Sequence, residues 1–199
     1  MGTWDAGWGR LGTVPRLSRS DILVVSATKA EAVHVPPEFD VLITGIGKVS
    51  AAVAVAKALG DYPSSQRPLV VNIGTAGALH EHHSGLFTPS TVLNHDISGD
   101  AIRALGHEVA DRLEMPEGDG SVLATGDVFV SDAGVRDVLA ERADLVDMEG
   151  FAVAYACAQV GAQCRLVKHV SDTADDSALD WPARIDASAR ELALWLRTL

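Results

Sequence analysis

The sequence predicts an α/β fold, a three-layer α/β/α sandwich around a mostly parallel central sheet. Three observations carry that reading. Short, β-branched apolar runs recur without the alternation of a half-exposed strand, the pattern of parallel strands buried on both faces. Alanine-rich stretches of helical length alternate with them. No repeat, low-complexity linker or mid-chain shift in composition interrupts the pattern, so the 199 residues contain one folded domain.

Residues 1–20 (MGTWDAGWGRLGTVPRLSRS) are rich in Gly, Trp and Arg and follow no period, so they read as an irregular extension ahead of a single domain at 21–199. Residues 21–28 (DILVVSAT), 39–44 (FDVLIT) and 69–73 (LVVNI) are the first three strands. Between the second and third, residues 49–59 (VSAAVAVAKAL) form a helix with a small-residue face, stopped by Gly60 and Asp61. Two further strands fall at 122–124 and 145–146. Ser131 and Asp132 can cap a helix that runs to about Arg142. A second alanine-rich helix covers 148–159 and ends at Gly161. Residues 165–170 (RLVKHV) are a strand, and 185–199 are an amphipathic closing helix carrying Leu192, Trp195 and Leu196, with Trp181 and Trp195 expected to pack it down.

Composition removes several classes of function. With 16 Lys and Arg against 27 Asp and Glu, the chain has a net charge of −11, which excludes a nucleic-acid partner and disfavours an anionic membrane surface. Cys157 and Cys164 are the only cysteines, too few for a disulfide scaffold or a thiolate metal site, and buried packing is expected of both. No apolar run approaches the ~18 residues of a membrane-spanning helix. Trp4, Asp5, Trp8 and Arg10 leave no continuous apolar stretch for a secretory signal. These features point to a cytoplasmic protein whose partner is a small molecule.

In open α/β sheets the ligand sits beyond the carboxyl ends of the strands. The residues that follow each apolar run are therefore informative. They are Ser26, Thr28 and Glu31 after the first, Gly45-Ile-Gly-Lys48 after the second, and Gly74-Thr-Ala-Gly77 after the third. Thr125-Gly-Asp-Val-Phe129, Asp147-Met-Glu149 and Ser171-Asp172 follow the later ones. Acids bind hydroxyls, a ring stacks, and glycines admit close backbone approach, so this inventory suits a neutral polyhydroxylated ligand with one flat apolar part. Gly45-Ile-Gly-Lys48 by itself is a tight strand-to-helix turn: Ser50 stands where a dinucleotide fingerprint needs its third glycine, and the Lys-Ser/Thr pair of a phosphate loop is absent.

Five motifs in order, GIGKVSAA (45–52), NIGTAGAL (72–79), TGDVFV (125–130), VDMEG (146–150) and VSDTAD (170–175), resemble those of the purine nucleoside phosphorylase/nucleosidase superfamily. The likeness is greatest to the methylthioadenosine/S-adenosylhomocysteine nucleosidases, and it covers about residues 21–176. It implies a nucleoside phosphorylase/hydrolase-like sheet, a purine nucleoside as ligand, no cofactor, no metal, and a homodimer. Carried over position by position, it makes Asp172 the acid that protonates the purine and Glu31 the carboxylate that orients and deprotonates water. Glu149, with Met148 beside it, would bind the ribose hydroxyls. Phe129 would stack on the base, the Val130 backbone would read its edge, Thr75, Ala76 and Gly77 would line the ribose and water pocket, and Ser171 would support Asp172.

The chemistry asks for these residue types. Breaking an N-ribosyl bond passes through an oxocarbenium-like state, a purine anion leaves badly without a proton, and a carboxylate near the developing cation stabilises it. Water is favoured over phosphate as the attacking group. The first strand exit lacks the Gly- and Arg-containing loop of the hexameric phosphorylases, Asn72 stands where those carry arginine, Lys48 and Lys168 are the only basic residues at the motifs, and Glu31 would repel a dianion. A phosphorylase, and a catalytically inactive nucleoside-binding protein, remain the alternatives. The chain also departs from the family. Only thirteen residues separate Glu31 from Gly45, and residues 80–121 are abbreviated and rich in histidine, which bears on the cover of the nucleoside's 5′ end. Asp147 stands where close members often have glutamate. His80-Glu-His-His83 reads as a solvated loop, His169 as a packed or hydrogen-bonded strand residue, and Asp175-Asp176 as a loop edge.

Overall fold

A computed structural model of the chain describes residues 18–175 and 181–199. Residues 1–17, including Trp4, Asp5, Trp8 and Arg10, lie outside the described residues, as do Asp176 and the side chain of Trp181. In chain order the strands are β1 (Ile22–Ser26), β2 (Asp40–Ile43), β3 (Leu69–Ala78), β4 (Leu86–Phe87), β5 (Thr91–Asn94), β6 (Arg112–Glu114), β7 (Val122–Thr125), β8 (Leu145–Asp147) and β9 (Cys164–Asp172). The α-helices are α1 (Lys48–Gly60), α2 (Gly99–Ala104), α3 (Ala133–Ala140), α4 (Gly150–Val160) and α5 (Trp181–Leu196).

All nine strands join one sheet, with the path β2-β1-β3-β8-β7-β5-β6 and with β9 pairing β3 and β4. The pairs β1·β2, β1·β3, β3·β9, β5·β7 and β7·β8 are parallel, whereas β3·β8, β4·β9 and β5·β6 are antiparallel. The sheet is thus mostly parallel, as expected. Consecutive residues of the first strand feed opposite faces. Leu23 and Val25 join a core with Ala51, Val55 and Leu59 of α1 and with Phe151, Val153 and Cys157 of α4. Ile22 and Val24 join another with Val71, Ile73, Val167 and α5 residues Leu192 and Leu196, against which Trp195 packs. A strand buried on both faces needs no polar alternation, which is why β1 and β3 read as continuous apolar runs, whereas β2, at the end of the strand path, leaves Asp40 and Val41 exposed and is not buried as expected.

Most element positions agree with the sequence reading, and the departures have local causes. The third strand runs on to Ala78 because, past its pairing with β1, it pairs antiparallel with β8 at Gly77 and Ala78 while β9 stays its parallel partner as far as Gly77. Thr28 falls beyond β1, in the turn that Glu31 organises. Met148 and Glu149 precede α4, since Asp147 Oδ2 accepts the Gly150 N–H at 2.8 Å and starts the helix there. The Asp132 cap on α3 is present, accepting the Val135 N–H at 3.0 Å, but the helix stops at Ala140. The closing helix begins earlier than residue 185 and ends at Leu196. Residues 80–121, abbreviated and histidine-rich in sequence, contain the strands β4, β5 and β6 and the helix α2, which no local pattern marks. No helix among the described residues is long and apolar enough to cross a membrane.

Candidate active site

The carboxyl ends of β1, β3, β8 and β9 open onto one cleft of about 670 Å³, part of it open to solvent. Its lining brings together every residue singled out for binding or chemistry: Glu31, Thr75, Ala76, Gly77, Phe129, Val130, Met148, Glu149, Ser171 and Asp172. Ala27, Thr28, Ile46, Val128, Val146 and Asp147 complete the wall.

Glu31 is buried, 5% exposed, and fully engaged. Its Oε1 accepts the Thr75 N–H at 2.9 Å and the Thr75 hydroxyl at 3.0 Å. Its Oε2 accepts the Thr28 hydroxyl at 2.9 Å and the Thr28 N–H at 3.2 Å. A buried carboxylate is tolerable only with such a complement of donors, which are drawn here from two separate strand exits.

Asp172 closes β9 beside a register shift between Ala76 and Gly77 of β3, an irregularity that re-aims side chains at the sheet end. Its Oδ2 accepts the Ser171 hydroxyl at 2.7 Å and its Oδ1 accepts the Ala174 N–H at 2.9 Å. Gly77 is needed opposite, because a Cβ there would lie 3.0 Å from Asp172 Oδ1 and 2.9 Å from Ala174 Cβ. Neighbouring elements tether the loop: Arg184 of α5 donates to the Ser171 carbonyl at 3.0 Å, and Arg136 of α3 donates to Asp175 at 3.2 Å.

Glu149 occupies the residue before α4, and its Oε1 accepts the Gly47 N–H at 2.8 Å. The glycine turn thus serves as a backbone donor to a carboxylate. Burial, and next the adjacent Asp147 carboxylate, push Glu149 up to about 7, against the opposing pull of Lys168 and the Gly47 N–H. Phe129 stands at the mouth, 50% exposed, with Ile46 and Val128 also exposed beside it.

Two residues matter more than the sequence suggested. Asp147 is a buried junction: Oδ1 accepts the Thr125 hydroxyl at 2.5 Å, and Oδ2 forms an ion pair with Lys168 Nζ at 2.8 Å. Lys168 is 1% exposed and also donates to Asn72 Oδ1 at 2.8 Å, so the expected basic residue lies behind the wall and not on it. Burial disfavours its ammonium, but Asp147 and Glu149 outweigh that and hold it above its ordinary value. The sequence marks Lys168 only as a basic residue at a motif, because Arg165 and His169 share its strand and nothing local distinguishes a buried lysine from an exposed one. The other motif residues sit elsewhere. His169 hydrogen-bonds Ser188 at 3.0 Å, Cys157 and Cys164 are buried, and the rings of His80, His82 and His83 pack on one another away from the cleft. Lys48 bonds Asn94 Oδ1 at 2.8 Å and pairs with Asp96.

Residues 98–198 match the family model described as the phosphorylase superfamily. An aminodeoxyfutalosine nucleosidase of Helicobacter pylori is 31% identical over 116 residues, which are 57% of this chain and 49% of that protein. A 5′-methylthioadenosine/S-adenosylhomocysteine nucleosidase of Buchnera aphidicola is 24% identical over 164 residues, 69% of this chain and 63% of that one. The chain therefore spans between about half and two thirds of the length of these relatives. The structure of a futalosine hydrolase mutant of Helicobacter pylori superposes with a TM-score of 0.76 at 21% identity, covering 88% of this chain and 96% of that one, a likeness of fold.

Proposed function

The chain belongs to the phosphorylase superfamily, and we propose that it hydrolyses the N-glycosidic bond of a purine nucleoside, of adenine type and substituted at the 5′ position, to free base and sugar. The observation that carries water over phosphate is the state of Glu31. Binding a phosphate dianion takes cations or a cluster of free N–H and hydroxyl donors. Here the four donors at the pocket floor, the N–H and hydroxyl groups of Thr28 and Thr75, all point at Glu31. Among the described residues, the lining carries four carboxylates and no basic side chain. The names of the relatives support the same reaction class.

In this reading Asp172 delivers its proton to N7 of the base as the C1′–N9 bond breaks and its electron pair passes to the purine. Glu149 accepts the ribose hydroxyls and places negative charge beside the oxocarbenium-like sugar. Water enters between Glu31 and the sugar in place of one threonine hydroxyl, its oxygen bonds to C1′, and its proton goes to Glu31. Phe129 stacks on the base, the Val130 backbone reads its edge, Met148 packs beside the ribose, and Thr75, Ala76 and Gly77 line the water side. Residues 21–199 act as one nucleosidase-like domain, in a reducing, cytoplasmic setting suited to two buried free cysteines. Ile46, Val128 and Phe129 are exposed where they line the cleft, Val49 and Val53 are exposed on α1, which follows Ile46 in the chain, and we read this apolar surface as the contact of a homodimer that closes the 5′ side.

The deciding experiment is product analysis by chromatography and mass spectrometry. Methylthioadenosine, S-adenosylhomocysteine, adenosine and inosine are each supplied with and without phosphate. Free base and free sugar at a rate independent of phosphate are expected. Phosphate-dependent sugar 1-phosphate would make the protein a phosphorylase, and tight binding without turnover would make it an inactive binding protein.

A further inference from the structure

Three carboxylates, Glu31, Asp147 and Glu149, crowd the floor of the cleft, and the Lys168 ammonium acts on all three from within the sheet. Lys168 heads the fully buried side chains in size, and its Nζ is held on two sides by Asn72 Oδ1 and Asp147 Oδ2, each at 2.8 Å. A Cβ on Gly74 would lie 3.4 Å from Lys168 Nζ and 3.3 Å from Glu31 Oε1, so ammonium and carboxylate flank one point of the β3 backbone. Burying an ion pair in place of apolar side chains seldom improves stability. Its persistence beneath the cleft asks for a reason in the chemistry.

Resting on the nucleosidase reading, we propose that Lys168 is a positioning residue, the counter-ion that keeps Glu149 ionised for the ribose hydroxyls and holds Asp147 as the strut on which α4 begins. The linkage is continuous. Lys168 pairs with Asp147, Asp147 accepts the Gly150 N–H at the first residue of α4, and Glu149 hangs from the residue just before it. Thr125 completes the strut, donating its hydroxyl to Asp147 and accepting the Phe151 N–H at 2.9 Å. The groups that face Glu149 are the Gly47 N–H ahead of α1, Glu31 after β1, Asp147 on β8 and Lys168 on β9, with Asp172 on the same cleft wall. Among the charged ones, only Lys168 favours the ionised form. Lys168 draws the Glu149 carboxyl down, and an opposite charge within ~4–6 Å moves such a group by ~1–3 pH units, so removal of the charge is a measurable change.

The test reads Glu149 in two ways. The titration midpoint of its carboxyl carbon is followed by NMR in protein labelled at glutamate carboxyls and assigned with Glu149→Gln. The acid limb of kcat/KM is followed for methylthioadenosine cleavage. Lys168→Gln keeps hydrogen-bonding capacity without the charge, and it is expected to raise both midpoint and limb by about one pH unit or more. Asp147→Asn is expected to lower them, Lys168→Gln with Asp147→Asn to return them toward wild type, and Lys168→Arg to leave them near it. A folded Lys168→Gln that is slower at every pH with both values unmoved would overturn the proposal and leave Lys168 a structural residue. If Lys168→Gln does not fold, Asp147→Asn decides, and unmoved values overturn the proposal. Absence of turnover in the wild-type protein would count against the nucleosidase reading, while the carbon titration would still report whether Lys168 controls Glu149.

Discussion

In the proposed reaction Asp172 and Glu149, two carboxyl groups lining one cleft, have different tasks. Asp172 is oriented by the Ser171 hydroxyl and the Ala174 N–H, contacts that aim it without closing it off from the cleft. Replacing it with Asn keeps the shape and removes the transferable proton, so Asp172→Asn should lower kcat by ~10²–10⁴ with circular dichroism and melting unchanged. Initial rates on methylthioadenosine check this, and a near-wild-type rate would reassign the acid. Glu149 carries a cost in stability. Folding raises it from 4.5 to about 7, so between those values the folded chain holds a proton that the unfolded chain has released. Stability from this group is therefore complete below 4.5 and is lost as pH rises to about 7, on the order of 3 kcal/mol. Glu149→Gln should consequently melt above wild type at pH 8, match it near pH 4, and lose activity at both. Thermal melts across that range read the sign directly.

At the scale of elements, the turn into α1 and the packing of α5 separate function from stability. Gly47 has φ of 95° and ψ of 158°, a region essentially confined to glycine, and a Cβ there would lie 3.2 Å from Asp127 Oδ1. Gly47→Ala should cost ~1–3 kcal/mol and withdraw the N–H donated to Glu149. KM should then rise more than kcat falls, which steady-state kinetics and denaturant melts resolve together. By contrast, Leu192 of α5 is fully buried against the sheet and away from the cleft lining. Leu192→Ala should cost ~2–5 kcal/mol in the denaturant midpoint while the surviving folded protein keeps its KM.

At the scale of the molecule, α1 divides into two faces. Ala51, Val55 and Leu59 are buried in the core, while Val49 and Val53 remain exposed on the same helix and Ile46, just ahead of it, is exposed in the cleft lining. A second copy is the proposed cover. Sedimentation equilibrium should give twice the 20.9 kDa chain mass, and Val53→Glu should return the protein to monomer and raise KM for 5′-substituted nucleosides. A monomeric wild type with full activity would remove the homodimer from the mechanism.

The α/β class and the residues at the cleft were legible because both follow from local rules. A strand buried on both faces must be apolar throughout, and in such a sheet the residues just past each strand face the ligand. Glu31, Glu149 and Asp172 could thus be picked out singly, each by its place after an apolar run. Residues 80–121 were not legible, since β4 has two residues and β6 three, too short for any period, and they are strands only because β9 and β5 supply their partners. Nor did local pattern reveal the antiparallel joint of β3 with β8 or the burial of Lys168. Its ammonium is stable there only because Asp147 and Asn72 arrive from two other strands. What the sequence determined by itself was the list of groups at one edge of the sheet. Their distances, partners and charge balance were decided by the tertiary structure, because the strength of each electrostatic contact depends on burial and on neighbours distant in the chain.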